Sequence, residues 1–181
     1  PLLFTRRSII EGGEIITLNE GQVIALYTAV CQSKCIDMID YEMANDSANI
    51  ARVRDAAKTN NIELVLSFHN FSFTPGPETL SAKFLTAEQL GANVAKVAVM
   101  PRDLDDVLTL LNATREASKK LRIPLISMSM GPLGAVTRMI GGAFGSSLSF
   151  AVGAAASAPG QVPIEDLNTV LVILQKSMGA K

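Results

Sequence analysis

Several residue types are scarce in this chain of 181 residues. It has no tryptophan, one histidine and two cysteines, and aromatic residues make up 5% of it. Positive and negative side chains nearly balance and leave a formal net charge of -1. With no basic stripe and few aromatic side chains on which bases could stack, nucleic acid is not an expected partner.

The few cysteine and histidine residues also restrict metal and redox chemistry. Cys31 and Cys35 are four residues apart in a predicted helix, so we expect buried free thiols on one helical face, as in a reducing cytoplasm. With one histidine and no second cysteine pair, the sequence offers no ligand set for zinc. Residues 139–164 carry no charge but are too rich in Gly, Ser and Pro for a membrane span, and no signal peptide is evident.

Short apolar runs alternate with helical patterns along the chain. Strands are predicted at 2–7, 37–43, 63–69, 94–100, 124–130 and 147–152. Helices are predicted at 20–32, 47–60, 77–91, 103–120, 133–141 and 165–178. This alternation, with a repeat of about thirty residues, indicates an α/β fold with a parallel sheet and helices outside it.

Six strand–helix units are compatible with an open doubly wound sheet or with part of a closed barrel. No G-x-G-x-x-G follows the first strand, as a dinucleotide-binding sheet would require. An eight-unit barrel typically has about 250 residues, so this chain is about seventy short of one. It begins at Pro1 with a strand-like segment. We therefore expect residues 1–181 to form one (β/α) barrel domain that lacks the first two βα units.

Lys96 lies inside an apolar run, residues 94–100, that reads as a buried parallel strand. An unpaired ammonium is costly to bury, so this lysine is either paired or used. Burial favours the neutral amine, which is a nucleophile for carbonyl groups. The sequence thus predicts an enzyme that forms a Schiff base. The structural alternative is a lysine that reaches solvent from the end of its strand.

The alternation of side chains along two neighbouring strands supports the enzymatic interpretation. In the third strand, Leu64, Leu66 and Phe68 are suited to face outer helices, which turns His69 towards the interior. The same alternation turns Lys96 inward. A histidine and a lysine directed at one interior are typical of an active site.

Other polar or unusual side chains fall where strands end, which is where barrel enzymes place their chemistry. They are Arg7, Glu11, Asp40, Glu42, Met128, Met130, Arg138 at the opening of the short fifth helix, Ser157 and Gln161. Each also has a structural interpretation, since the arginines can pair with the interior carboxylates and the methionines can fill the core.

Seven short segments, in order along the chain, resemble the type I 3-dehydroquinate dehydratase family. They are residues 3–8 (LFTRRS), 11–13 (EGG), 37–42 (DMIDYE), 67–71 (SFHNF), 96–101 (KVAVMP), 127–131 (SMSMG) and 157–161 (SAPGQ). The resemblance implies a (β/α)8 TIM barrel and a cytoplasmic lyase of the shikimate pathway, usually a homodimer. Its reaction removes water from 3-dehydroquinate to give 3-dehydroshikimate, with no metal or diffusible cofactor.

The resemblance also implies roles for individual residues. Lys96 corresponds to the Schiff-base lysine, His69 to the general acid/base and Glu11 to the carboxylate that orients the histidine. Arg138 corresponds to the ligand of the substrate carboxylate. The remaining residues implied to bind substrate or line the pocket are Arg7, Ser157, Gln161, Phe150 and Met130.

Two alternatives remain open at the level of sequence. Another lysine-dependent barrel, such as an aldolase, would share the lysine but not the motifs around His69 and Gln161. A truncated, inactive dehydratase-like module would bind a ligand without turnover. Two positions depart from the family pattern, since Arg6 replaces an apolar residue and Asn70 replaces an aspartate.

Overall fold

The computed structural model of the chain describes residues 1–154 and 158–179. The named strands form one parallel sheet in the order β1-β2-β3-β4-β5. Their bounds are β1 Leu3–Thr5, β2 Met38–Glu42, β3 Glu63–Asn70, β4 Val94–Val99 and β5 Leu125–Ser129. Sequential strands are therefore neighbours, and the carboxyl ends of all five meet at one edge.

The first four helices connect consecutive strands, as the alternating pattern predicts, and the last two follow β5. Their bounds are α1 Glu20–Ser33, α2 Ser47–Thr59, α3 Pro77–Gln89, α4 Leu104–Lys120, α5 Gly131–Ile140 and α6 Ile164–Ser177. Asp46 and Asp103 cap α2 and α4 by accepting hydrogen bonds from backbone N–H groups of the first turn. Pro77 begins α3, where its missing N–H costs nothing.

The core lies on both faces of the sheet. On the outer face, alternate strand residues such as Leu64, Leu66, Ala95 and Val97 pack against buried residues of the helices. On the inner face, a smaller cluster consists of Ala98, Ile126, Met128 and Met130. This division confirms the predicted alternation and leaves the inner face free for polar side chains.

Three expectations about the fold are wrong. In the predicted strand at 147–152, only Val152 forms a β-bridge, an isolated one with Pro163, and another isolated bridge, between Ser146 and Leu125, precedes the segment. Arg138 lies in the last turn of α5 and not at its opening. Cys35 follows the end of α1 and is exposed, so only Cys31 is a buried thiol. The cause is Lys34, whose left-handed backbone ends the helix before Cys35.

None of the helices in the described part of the chain has the length and apolarity that crossing a membrane requires.

Candidate active site

A cavity of about 660 Å³ opens at the carboxyl ends of the strands. Eight of the nine residues to which the family resemblance assigns a role line it: Arg7, Glu11, His69, Lys96, Met130, Arg138, Phe150 and Gln161. Ser157, the ninth, lies outside the described residues. Residues that are far apart in sequence therefore meet in one place, because the parallel sheet aligns the ends of its strands.

Lys96 extends from β4 into this cavity and is paired there with a carboxylate. Its Nζ lies 2.7 Å from Oδ2 of Asp40 and 4.9 Å from the centre of the Phe150 ring. The amine thus rests in an ion pair and is not the uncharged, unpartnered group expected from burial alone. The sequence left open whether this lysine is paired or used, and the structure shows that it is paired.

Asp40 is fully buried at the end of β2, and both of its oxygens are occupied. Oδ1 accepts from the Arg7 guanidinium at 2.8 Å and from the Ser67 hydroxyl at 2.5 Å, while Oδ2 faces Lys96. Burial opposes ionisation, but the Lys96 ammonium and the Arg7 guanidinium outweigh it and hold the pKa of Asp40 below its usual range. Asp40 is therefore an anion shared by two cations.

Tyr27 of α1 fixes the ends of β1 and β2 around this group. Its hydroxyl donates to the Asp40 carbonyl at 2.6 Å and accepts from the Arg6 backbone N–H at 3.1 Å. The ring is buried and packs edge-to-face against Phe4 and Tyr41. The backbone that carries Arg7 and Asp40 is thus held by a residue outside the cavity.

Glu11 determines which nitrogen of His69 is free. One of its carboxylate oxygens accepts from the His69 backbone N–H at 3.0 Å and lies 2.7 Å from Nδ1 of the same residue. When Glu11 is ionised, Nδ1 carries the proton and donates it, which leaves the lone pair on Nε2. Burial, followed by the positive charges of Arg7 and Lys96, lowers the pKa of His69 to about 2. The imidazole is therefore neutral at rest, with Nε2 unprotonated.

The environment of Glu11 works against its ionisation. Burial and the nearby carboxylate of Glu42 raise the pKa of Glu11 to about 7, although Arg7 counteracts them. Glu11 is the last residue of a short 3₁₀ turn, Ile9–Glu11. Ser8 caps the start of this turn. The pair formed by Glu11 and His69 thus changes its protonation near neutral pH.

The two glycines after Glu11 explain why that motif has this form. Gly12 has a left-handed backbone with φ of 85°, and a Cβ there would collide with the Phe71 ring. A Cβ on Gly13 would collide with the Arg7 carbonyl oxygen. The motif therefore lets the chain turn tightly enough to place Glu11 against His69.

Arg138 brings a buried guanidinium to the other side of the cavity. It donates to the carbonyl oxygens of Phe150 at 3.3 Å and Pro159 at 3.2 Å, and no carboxylate of the described residues pairs with it. Its Nε is buried with no hydrogen-bond partner among those residues, and burial lowers the pKa of the guanidinium. A buried cation without an anion is a binding site for an anionic group of a ligand.

Residues 158–161 close over this arginine. The Gly131 backbone N–H donates to the Pro159 carbonyl at 3.2 Å, and a Cβ on Gly160 would collide with the Gly131 carbonyl. Gly160 has φ of 72°, a conformation that glycine adopts without strain. This close approach brings Ala158 and Gln161 to the cavity wall.

Sequence reasoning singled out Asp40 and Glu42 only as possible ion-pair partners, and it missed Ser67 as a polar member of the site. Ser67 lies beside Lys96 in the register of β3 and β4. Its inward orientation follows from the strand alternation, but its bonds to Arg7 and Asp40 depend on how the first three strands align. Among residues 1–154 and 158–179, no three His, Cys, Asp or Glu side chains are grouped as metal ligands.

Comparison with known proteins agrees with this geometry. The family model described as Type I 3-dehydroquinase matches residues 1–178. A curated 3-dehydroquinate dehydratase from Albidiferax ferrireducens is 75% identical over 99% of this chain, and one from Geobacillus thermodenitrificans is 52% identical over 97%. The chain spans 68% of the length of each of these relatives.

Solved structures show the same relationship. A 3-dehydroquinate dehydratase from Geobacillus kaustophilus superposes with a TM-score of 0.96 at 53% identity, covering 97% of this chain and 68% of that one. A type I enzyme from Clostridium difficile, solved with covalently modified comenic acid, gives 0.94 at 38% identity, covering 98% and 70%. The parallel sheet and its helices are thus those of the (β/α)8 TIM-barrel fold. The chain belongs to the type I 3-dehydroquinase family.

Proposed function

We propose that this protein is a 3-dehydroquinate dehydratase, a hydro-lyase of the shikimate pathway and aromatic biosynthesis that acts through a Schiff base on Lys96. The observation that carries the proposal is the meeting of the Lys96 amine and the His69 imidazole in one cavity. Family membership supplies the substrate, because the relatives at up to 75% identity are 3-dehydroquinate dehydratases. The Clostridium difficile relative, which carries covalently modified comenic acid, is consistent with covalent chemistry.

The reaction begins when the Lys96 ammonium gives up a proton, which passes to the ketone oxygen as Nζ attacks the ketone carbon. The carbonyl oxygen leaves as water and an iminium forms, whose positive nitrogen withdraws electrons from the neighbouring carbon. Nε2 of His69 then removes the α-proton, and the electron pair is delocalised as an enamine. His69 returns the proton to the departing hydroxyl, and hydrolysis of the imine releases 3-dehydroshikimate.

The other residues of the cavity bind and orient the ring in this proposal. Arg138 pairs with the substrate carboxylate. The substrate thus supplies the anion that no carboxylate of the described residues provides to this guanidinium. Arg7 and Gln161 bind hydroxyl groups, as the family resemblance also implies for Ser157, and Phe150 and Met130 give the cavity apolar walls. The segment around Pro159 closes the cavity and excludes bulk water.

The family resemblance also suggests a cytoplasmic homodimer whose only ligand is its substrate.

Trapping of the imine tests the proposed function. We expect the protein to convert 3-dehydroquinate to a conjugated product and, after borohydride reduction, to gain the mass of one substrate-derived adduct on Lys96. Intact-protein and peptide mass spectrometry measure both. A folded protein that gives neither product nor adduct would be a ligand-binding module, and adducts formed only with other carbonyl sugars would indicate an aldolase-type barrel.

Replacement of Arg138 tests how the substrate carboxylate is bound. Hydrogen bonds to a charged group contribute about 1.5–3 kcal/mol, so Arg138→Gln is expected to raise KM by about 10- to 100-fold. Arg138→Lys keeps the charge but loses the planar fork, and we expect a smaller rise. Steady-state kinetics measure both variants, with thermal unfolding as a check on the bonds to Phe150 and Pro159. An unchanged KM in both would remove Arg138 from substrate binding.

A further inference from the structure

Asp40 contacts the lysine and not the cavity. It is fully buried beneath Lys96, does not line the cavity wall, and holds Nζ at 2.7 Å. Arg7 and Ser67 occupy its other oxygen, so the carboxylate cannot rotate away from the lysine. Asp40 therefore acts on the reaction through the groups that it contacts, and Nζ of Lys96 is the one among them that reacts.

The positive charge at this nitrogen is the same before and after the imine forms. An ammonium and a ketone give an iminium and water: two of the three ammonium protons leave with the carbonyl oxygen, and the third stays on Nζ. The C–O double bond of the ketone is replaced by a C–N double bond, and no electron donor is needed. The buried anion that pairs with the ammonium thus has a cation to pair with both before the attack and in the iminium.

We propose that Asp40 is the counter-ion of the imine, a positioning residue that keeps the nitrogen on Lys96 protonated while the α-proton is removed. The inference rests on the proposed function, in which the imine must be cationic to accept electrons. A neutral imine is a poor electron sink, so loss of its proton would slow elimination without preventing formation of the covalent bond.

The surroundings of the pair favour this role. Phe150 presents its ring to Nζ at 4.9 Å, and the face of an aromatic ring attracts a cation. Arg7 and Lys96 keep the pKa of Asp40 low despite its burial, so the carboxylate remains an anion through the working pH range. The Asp40 carboxylate and the Phe150 ring therefore both stabilise the protonated form of the nitrogen.

Other ionisable groups face the same pair and enter any pH dependence. They are Arg7 after β1, Glu11 in the 3₁₀ turn, Tyr27 on α1, Glu42 on β2, His69 on β3 and Arg138 on α5. Among the carboxylates of the described residues, only Asp40 contacts Nζ directly. Glu42 bonds the Arg7 guanidinium and the Ser8 backbone N–H, and it belongs to the same charge cluster.

Asp40 contacts Nζ directly, whereas Glu42 contacts Arg7 and Ser8. Asp40→Asn and Glu42→Gln are therefore a matched pair of variants, each of which removes one negative charge from the cluster. Cyanoborohydride reduces protonated imines and spares neutral ones, so the pH profile of trapping with 3-dehydroquinate reports the protonated fraction. We expect Asp40→Asn to move the alkaline limb of this profile down by about one to three pH units. Glu42→Gln should leave it within a few tenths of the wild-type position, and borohydride should still trap an adduct on Lys96 in both. An unshifted limb in folded Asp40→Asn, or equal shifts in the two variants, overturns the proposal.

A second measurement covers the case in which Asp40→Asn does not fold. Wild-type protein with ¹⁵N-labelled lysine is saturated with propionaldehyde, and the Nζ chemical shift is followed with pH. We expect the imine nitrogen to stay protonated through the range in which an ordinary alkyl imine loses its proton; deprotonation in that range overturns the inference. If 3-dehydroquinate gives no adduct but propionaldehyde does, the proposed substrate fails while the aldehyde imine still decides the role of Asp40. If neither compound forms an adduct on Lys96, both the proposed function and the proposed role of Asp40 are wrong.

Discussion

Lys96→Ala is expected to abolish both turnover of 3-dehydroquinate and borohydride trapping. Every step of the proposed reaction runs through Nζ. To replace it, His69, the other proposed catalytic group with a basic nitrogen in the cavity, would have to act as nucleophile and base at once. Loss of a covalent nucleophile of this kind costs roughly 10⁵-fold or more in turnover. Product formation followed by absorbance and adduct mass followed by mass spectrometry give the two readouts.

The control for this prediction is Lys83→Ala. Lys83 lies over the Phe68 ring at 4.5 Å, on the helix-facing side of β3, and it does not line the cavity. We expect this variant to be trapped and to turn over as the unsubstituted protein does. If Lys96→Ala kept even a tenth of the activity, or if the adduct moved to another lysine without loss of rate, Lys96 would not be the reacting amine.

The stability of Lys96→Ala separates chemistry from folding. The substitution leaves the buried Asp40 carboxylate with Arg7 and Ser67 as partners. Breaking a buried ion pair outright costs about 3–5 kcal/mol, and the remaining partners should keep the loss below that range. Chemical denaturation measures it, and a folded, inactive variant is the expected outcome.

Much of this architecture could be predicted from local patterns. The alternation of apolar residues placed β2 to β5 and α1 to α6 within a few residues of their observed bounds. It also turned His69 and Lys96 to the same face, because adjacent parallel strands share the direction of their side chains. Segment 147–152 has the composition of a strand, but apart from a single bridge it joins no strand. Whether a segment pairs depends on the segment that lies beside it as well as on its own residues.

The electrostatics of the site could not be predicted in the same way. From the sequence, Lys96 was expected to be neutral because its strand is apolar, yet Asp40 reaches it across one intervening strand. Which of Asp40, Glu42 and Glu11 pairs with which cation depends on strand register and on the tight turn at Gly12 and Gly13. Such pairings depend on distances between segments that are far apart in the sequence, and no local pattern predicts those distances.

His69→Ala is expected to separate bond formation from proton transfer. Without the imidazole, the amine of Lys96 can still attack the ketone, so borohydride should still trap the imine on Lys96. The α-proton then has no positioned base, and a positioned acid or base contributes about 10²–10⁴-fold to rate. We expect turnover to fall by that factor while the trapped mass persists. Unchanged turnover would remove His69 from the mechanism, and loss of trapping would make it part of imine formation instead.

Glu11→Gln is the companion variant, because it tests how His69 is held. The pKa of His69 is lowered to about 2, so the loss of activity towards acidic pH should follow Glu11, whose pKa is raised to about 7. As the pH falls through that value, Glu11 takes up a proton and its negative charge no longer stabilises the imidazolium that forms when Nε2 accepts the α-proton. The unsubstituted protein should therefore lose kcat below about pH 7, whereas Glu11→Gln should be slow at all pH values and lack that limb. An identical acidic limb in both proteins would show that another group sets it and that Glu11 holds the imidazole without tuning its basicity.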